Sequence, residues 1–161
     1  MRAELHEFLS RDHERLGALL SSCRAAEGPI PEAEYSEFRK GLLRHIGIEE
    51  RVLFPELRRQ RGVSELEQRL HRDHAALAAL LVPPPSRAEL DHIAAILDAH
   101  NELEESDGGL YDVIEAIAAD ELPALMQRVH AIPEIPLAPY ADTEITRSTI
   151  EKLLRDIGRI A

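Results

Sequence analysis

Residues 38–57 read FRKGLLRHIGIEERVLFPEL, and this stretch sets the pattern for the rest of the chain. Apolar side chains recur along it every three or four residues, which is the spacing of one face of an α-helix. His45 and Glu49 fall on that apolar face, between Leu42 and Leu53. A histidine and a carboxylate therefore occupy positions where a helix that faces a core normally carries leucine.

A weak internal repeat extends this pattern along the chain. Residues 45–50 (HIGIEE) are matched by residues 100–105 (HNELEE), and residues 11–16 (RDHERL) by residues 72–77 (RDHAAL). One chemical pattern of a helical hairpin thus occurs twice. The repeat predicts an approximate two-fold arrangement of polar groups.

Hydrophobic periodicity and helix start and stop signals predict an all-α chain, and no segment alternates as a strand would. The predicted helices span about residues 3–26, 32–60, 64–81, 87–105, 110–119 and 143–160. Four long helices with short connections predict an antiparallel up-down-up-down four-helix bundle with an extra C-terminal helix. We assign residues 1–130 to the bundle and residues 131–161 to a proline-rich linker and an amphipathic helix. That last helix packs either along the bundle or against a second copy in a homodimer, and the pattern leaves both open.

Composition restricts the class of protein. The formal net charge of −11 repels phosphate backbones and anionic lipid, so neither nucleic acid nor a membrane is expected as a partner. No apolar run approaches the roughly 20 residues that a membrane span needs, and the N-terminus lacks a signal-peptide core. A single cysteine, Cys23, suits a reducing compartment, so we expect a cytoplasmic protein.

Each of the four long helices places a histidine on its apolar stripe, and two of them add a glutamate one turn later. These residues are His13, His45, Glu49, His74, His100 and Glu104. An unpartnered buried carboxylate costs several kcal/mol, a large part of a domain's net stability of about 5–15 kcal/mol. A single such histidine is most often an ordinary core residue, but four histidines and two glutamates together need compensation, which two bound metal ions supply.

Mixed imidazole and carboxylate donors suit iron, manganese or zinc, and we favour iron. Two carboxylates shared between two ions suit bridging, with the histidines as terminal ligands. Positions then remain for an oxo or hydroxo bridge and for a small ligand such as dioxygen.

At these residues the chain resembles the hemerythrin-like (HHE cation-binding) family, over about residues 8–120. Residues 45–55 are very similar to that family's second-helix signature, and Asp12-His13, Asp73-His74 and the His100–Glu104 pair resemble its other motifs. The resemblance implies an antiparallel bundle with a di-iron centre that binds dioxygen or serves oxygen, redox or iron sensing. It also implies six iron ligands, with Glu49 and Glu104 bridging: His13, His45, Glu49, His74, His100 and Glu104.

Two features differ from the oxygen-carrying members of that family. The carriers have a second histidine four residues before the third-helix histidine, where this chain has Leu70. His71, three residues before His74, is either a fifth histidine ligand or an exposed helix residue. The carriers also use an aspartate five residues after the fourth-helix histidine, whereas Glu104 follows His100 by four. Both differences favour redox chemistry, nitric oxide or peroxide reactivity, or sensing over simple oxygen storage.

The residues beside the expected ligands have less certain roles. Asp12 and Asp73 either cap locally or hydrogen-bond an imidazole, and Glu50 and Glu105 are expected at the surface or around the histidines. Tyr111 either lines the pocket of the expected site or packs in the core, and we favour core packing.

Four functional hypotheses remain at this point. The first is a di-iron protein that binds dioxygen or another small diatomic or peroxide ligand for sensing, storage or iron homeostasis. The second is a peroxidase- or catalase-like oxidoreductase on the same site. The third is a phosphotransfer signalling bundle, which requires one exposed histidine beside basic residues. The fourth is a metal-free helical adaptor that docks through its acidic surface.

Overall fold

The computed structural model describes residues 3–161, and this part of the chain is helical without any strand. The all-α class is thereby confirmed. The helices are α1 (Glu4–Ala25), α2 (Glu32–Ile48), α3 (Phe54–Arg61), α4 (Glu65–Leu80), α5 (Arg87–Glu105), α6 (Leu110–Ile117), α7 (Leu122–His130) and α8 (Glu144–Asp156). A π-helical turn (Glu49–Leu53) joins α2 to α3, and a 3₁₀ turn (Ala119–Glu121) precedes α7.

Local chemistry explains where several helices begin. Ser64 caps α4 by accepting a hydrogen bond from the Glu67 N–H at 3.2 Å, as its capping-box sequence predicts. Ser86 caps α5 in the same way through the Glu89 N–H. Thr143 caps α8. The short helix α7 was not predicted.

The predicted single helix over 32–60 is three consecutive segments. At its centre the Phe54 N–H bonds to the carbonyl of Glu49, five residues earlier, which is the bond that defines a π-helical turn. Pro55 follows directly and has no N–H to continue the α-helical ladder. The wider turn thus begins at Glu49, on the apolar stripe.

Two contacts along α1 show that α1 and α2 run in opposite directions. Asp12 meets His45 late in α2 at 2.8 Å, whereas Ser22 further along α1 hydrogen-bonds Glu34 early in α2. α1 and α4 each pack against α5 as well. The four long helical segments thus form a helical bundle.

The buried apolar side chains form two separate clusters. Along α1, Leu9 belongs to one cluster and Leu16 to the other, and His13 lies between them. Along α4, Leu70 and Leu77 flank His74 in the same way. A polar layer therefore crosses the interior between two apolar cores, at the level of the histidines.

The C-terminal helix packs on the bundle of its own chain. α8 contacts α4, and its Ile150 and Leu154 are buried in the same cluster as Leu80. The segment before it is held where Arg39 lies over the Tyr140 ring, 4.4 Å from its centroid. No helix in the described part of the chain combines the length and the apolar character that crossing a bilayer requires.

Candidate metal centre

The six side chains that sequence patterning placed on the apolar stripes converge in the polar layer. Glu49 and Glu104 are completely buried, and the four histidines are nearly so: His13, His45, His74 and His100. Their donor atoms form two groups, within each of which all atoms lie within 4.8 Å of one another. One group holds His13, His45, Glu49 and Glu104; the other holds Glu49, His74 and His100.

Glu49 belongs to both groups, and a second carboxylate, Glu104, lies near a histidine of each group. Glu49 Oε1 lies 2.9 Å from His45 Nε2, while Glu49 Oε2 lies 2.9 Å from His74 Nε2. Glu104 Oε1 lies 2.7 Å from His100 Nε2 and 3.7 Å from His13 Nε2. The two glutamates therefore stand between the two pairs of histidines, as carboxylates that bridge two ions would.

Each histidine is oriented by a carboxylate from another helix. An oxygen of that carboxylate lies 2.7–3.3 Å from the ring atom Nδ1, in the pairs His13–Glu105, His45–Asp12, His74–Glu50 and His100–Asp73. Three of these pairs have hydrogen-bond geometry: His45–Asp12, His74–Glu50 and His100–Asp73. An ionised carboxylate can only accept, so Nδ1 carries the proton in these three pairs. In a neutral ring the Nε2 lone pair then points into the cluster, which is the state of a metal-ligating histidine.

This arrangement needs positive charge at its centre. Neutral Nε2 atoms would direct lone pairs at Glu49 and Glu104, and the Nε2 atoms of His74 and His100 are only 3.1 Å apart. Glu49 Oε2 and Glu104 Oε1 lie close to imidazole nitrogens but have no hydrogen bond of acceptable geometry. Short distances without hydrogen-bond geometry are what two ligands of one ion show, so the donor set fits bound metal cations.

The pKa values of the cluster also indicate that it needs positive charge at its centre. Burial lowers the pKa of His45, but the charge of Glu49 and the hydrogen bond with Asp12 outweigh burial and raise it to about 10. Burial opposes ionisation of Glu49, yet its hydrogen bond with Glu104 and the His45 charge hold its pKa well below the usual range. Burial and the neighbouring Glu49 charge raise the pKa of Glu104. Protons thus occupy the site when no cation neutralises it.

Tyr111 reaches the centre of the first group, so the alternative that it lines the site fits better than the favoured interpretation as core packing. Its hydroxyl lies 2.9 Å from Glu49 Oε1, 3.0 Å from Glu104 Oε2, and 3.2 Å from the Nε2 atoms of both His13 and His45. Burial and the two carboxylates raise the pKa of this phenol. Helical periodicity carried no signal for this contact, because the chain leaves the helix between Glu105 and Leu110 and the spacing of seven residues from Glu104 therefore defines no common face.

A tight turn between α5 and α6 brings Tyr111 to this position. A Cβ at Gly109 would lie 2.7 Å from the carbonyl oxygen of Leu103 and 2.9 Å from that of Glu104, so only glycine fits there. Gly108 has a φ of +78°, in the region that favours glycine. Its N–H also donates to Asp112 in α6 at 2.9 Å. The turn therefore places the start of α6 against the ligand-bearing end of α5.

His71 lies outside the cluster. Its side chain is 65% exposed, and its Nδ1 is 2.8 Å from Glu50 Oε1. The same Glu50 oxygen contacts His74 Nδ1 at 2.7 Å. His71 is thus separated from the polar layer by the carboxylate that orients His74.

A cavity of about 110 Å³ connects the cluster to the surface. Its inner end touches all four histidines, and its outer end is bordered by exposed Gly17, Ser21, Arg24 and Asp98. The walls between are mostly apolar, with Asn101 as a polar exception, and are otherwise formed by Leu16, Leu20, Leu42, Ile46, Leu77, Ala94 and Leu97. A Cβ at Gly17 would meet nothing within 4 Å, so the missing side chain leaves space at the outer end.

Comparison with known proteins gives one match. The model of the hemerythrin HHE cation binding domain matches residues 4–109, which include all six converging side chains. Neither the curated proteins nor the solved structures contain a match to this chain.

Proposed function

The chain belongs to the family of hemerythrin HHE cation-binding domains, and on that premise we propose that it is a non-haem di-iron protein that binds dioxygen or a related small oxidant. Its role would be sensing, storage, or redox and iron homeostasis. The observation that carries the proposal is the convergence of two carboxylates and four inward-pointing imidazole nitrogens in one buried layer. Mixed nitrogen and oxygen donors of this kind suit iron.

The proposed ligands divide into two sets. His13 and His45 would hold one ion, His74 and His100 the other, and the two glutamates would bridge them. Glu49 supports this division because its two oxygens face different histidine pairs. When bound, the iron pair supplies a reversible change of oxidation state, which none of these side chains provides alone.

The iron pair can be tested by its reaction with dioxygen. Protein loaded with ferrous iron without air should consume dioxygen in proportion to its iron and develop an optical spectrum as it does so. Zinc-loaded protein is the control, since zinc has no redox chemistry. An iron-loaded protein that stays colourless and consumes no more dioxygen than the zinc form would refute the proposal.

The cavity supports a small molecule as the ligand. Its apolar walls and modest volume admit a diatomic molecule or peroxide, and its inner end lies against the histidines. We propose that this cavity is the route by which the ligand reaches the ions.

Gly17→Leu should obstruct that route. A leucine side chain would enter the space beside Gly17, so binding of azide to the iron-loaded protein should slow roughly tenfold, or about 1.4 kcal/mol in the barrier. Stopped-flow absorbance measures the rate. Ala18→Leu, on the exposed side of the same helix, is the matched control and should bind azide at the original rate. Unchanged kinetics in Gly17→Leu, with unchanged iron content, would exclude this entry route.

His71→Ala should leave the iron content unchanged, because His71 lies outside the cluster and is mostly exposed. His74→Ala should lose iron, since the Nε2 of that residue faces Glu49. Elemental analysis of the two variants, prepared side by side, makes the comparison. A loss of iron from His71→Ala as large as that from His74→Ala would make His71 a ligand.

A peroxidase- or catalase-like oxidoreductase is the second candidate. The observation that favours it is the position of His71, which leaves His74 and His100 as the histidines for the second ion and keeps coordination positions open. Sustained turnover of hydrogen peroxide by the iron-loaded protein, absent from the zinc-loaded form, would support the enzyme over the binding protein.

The proposal also includes the topology of the bundle, the cellular location and the class of partner. The opposite directions of α1 and α2 support an up-down-up-down bundle for residues 1–130, followed by the linker and helix of residues 131–161. The free Cys23 supports a cytoplasmic location, and the charge of −11 supports the absence of nucleic-acid partners. Burial of the four histidines disfavours a phosphotransfer role.

A further inference from the structure

We propose that Tyr111 is a seventh protein ligand of this centre, bound as a phenolate to the ion held by His13 and His45. The inference rests on the proposed di-iron function and adds a residue to it. It follows from one juxtaposition: a buried phenol oxygen within 3.2 Å of four other donor atoms.

The Tyr111 hydroxyl has hydrogen-bond geometry toward Glu49 Oε1 and Glu104 Oε2, and its distances are also those expected between ligands of the same ion. Donors about 2.0–2.2 Å from a metal, and at right angles to one another, lie about 3 Å apart. The Tyr111 oxygen lies 2.9, 3.0, 3.2 and 3.2 Å from its four partners. His45 Nε2 and Glu49 Oε1 are themselves 2.9 Å apart. The phenol oxygen thus completes a set of mutually adjacent donors.

The contacts also assign Tyr111 to one of the two ions. Its polar partners, among the described residues, are one oxygen of each glutamate and the Nε2 atoms of His13 and His45. Phenolate binding would give that ion five protein donors, against four for the ion held by His74 and His100. The centre becomes asymmetric, and an external ligand would bind preferentially at the less saturated ion.

The surroundings hold the phenol in this place. The Tyr111 ring is completely buried. It stacks against His13 at 5.8 Å between centroids and meets the edge of His6 at 5.7 Å. The close approach of Gly109 to the carbonyl oxygens of α5 fixes the backbone two residues before Tyr111. Such packing restrains the ring, so the oxygen stays at the cluster when an ion binds.

Coordination requires only a proton transfer. The phenol O–H bond breaks as the oxygen–metal bond forms, the proton is released to solvent, and no electron changes hands. The resulting phenolate on ferric iron absorbs visible light by ligand-to-metal charge transfer. Phenolate ring vibrations are enhanced when a Raman spectrum is excited in that band.

The test combines iron analysis with resonance Raman spectroscopy on oxidised, iron-loaded protein. The chain has three tyrosines, Tyr35, Tyr111 and Tyr140. We expect phenolate modes in the original protein and in the Y35F/Y140F variant, which keeps Tyr111 as its one tyrosine. Growth on ring-deuterated tyrosine should shift those modes. Y111F should lose them together with the charge-transfer band while it still binds iron.

The outcomes distinguish failure of the Tyr111 assignment from failure of the proposed di-iron function. Iron-loaded protein without phenolate modes, or with modes that persist in Y111F, overturns the role of Tyr111 and leaves the di-iron function intact. Protein that takes up no iron overturns the proposed function itself. If Y111F fails to fold, the isotope shift in Y35F/Y140F still decides the assignment.

Discussion

Glu49→Ala should abolish most iron binding, because this carboxylate faces both pairs of histidines. Its two oxygens lie 2.9 Å from His45 Nε2 and 2.9 Å from His74 Nε2. Structural zinc in four-ligand sites is bound with about 10–16 kcal/mol, so one ligand contributes roughly 3–4 kcal/mol, or a hundred- to a thousandfold in affinity. Loss of a bridging ligand weakens both ions, and we expect well under one iron per chain by elemental analysis.

Glu50→Ala is the matched control for this variant. Glu50 adjoins Glu49 in the sequence but contacts the outer nitrogen of His74 at 2.7 Å. Loss of such an orienting carboxylate typically weakens metal affinity by about 10- to 100-fold, which saturating iron can overcome. Glu104→Ala and Glu105→Ala form a second pair with the same expected contrast. Equal iron losses within a pair would refute the assignment of ligands.

The metal-free protein should lose stability as the pH rises from about 6.5 to 10. The folded protein holds a proton on His45, whose pKa the neighbouring carboxylates raise to about 10, whereas the unfolded chain releases it near 6.5. The stabilisation is therefore complete below pH 6.5 and is lost as the pH passes the folded pKa. Each such proton changes the free energy of unfolding by about 1.4 kcal/mol per pH unit.

Iron should reverse this dependence. Bound ions replace the protons, so the loaded protein should keep its stability through the alkaline range. In acid the histidines are protonated and the ions should leave, below about pH 5–6. Urea unfolding of chelator-treated and iron-loaded protein at pH 6 and pH 9 makes the comparison. Metal-free protein that is equally stable at both pH values would contradict the buried charge cluster.

Helical periodicity predicted that four histidines and two glutamates face the interior, and their donor atoms do converge there. A residue's position on its own helix determines the face it occupies, and that brought His45 and Glu49 onto the apolar stripe. The same reasoning could not determine what another helix places opposite that face. The position of Glu50 next to His74 depends on how two helices pack together. The spacing of apolar residues within one helix cannot predict that packing.

Tyr111 shows a second limit of sequence reasoning. Its approach to Glu104 depends on the turn through Gly108 and Gly109, where one backbone passes within van der Waals contact of another. Two glycines in sequence predict a break but not the direction that the chain takes after it. The π-helical turn at Glu49 is similar, since the sequence predicted one continuous helix over residues 32–60.

The most direct test of the central claim is the metal content of the full chain purified from iron-replete cells, measured together with its optical spectrum. We expect about two iron ions per chain, with charge-transfer bands of ferric iron, and a large reduction of both in Glu49→Ala. Purified protein that is folded, free of metal and unable to take up ferrous iron would show that protons alone neutralise these carboxylates. The buried layer would then be a structural polar network rather than a metal centre.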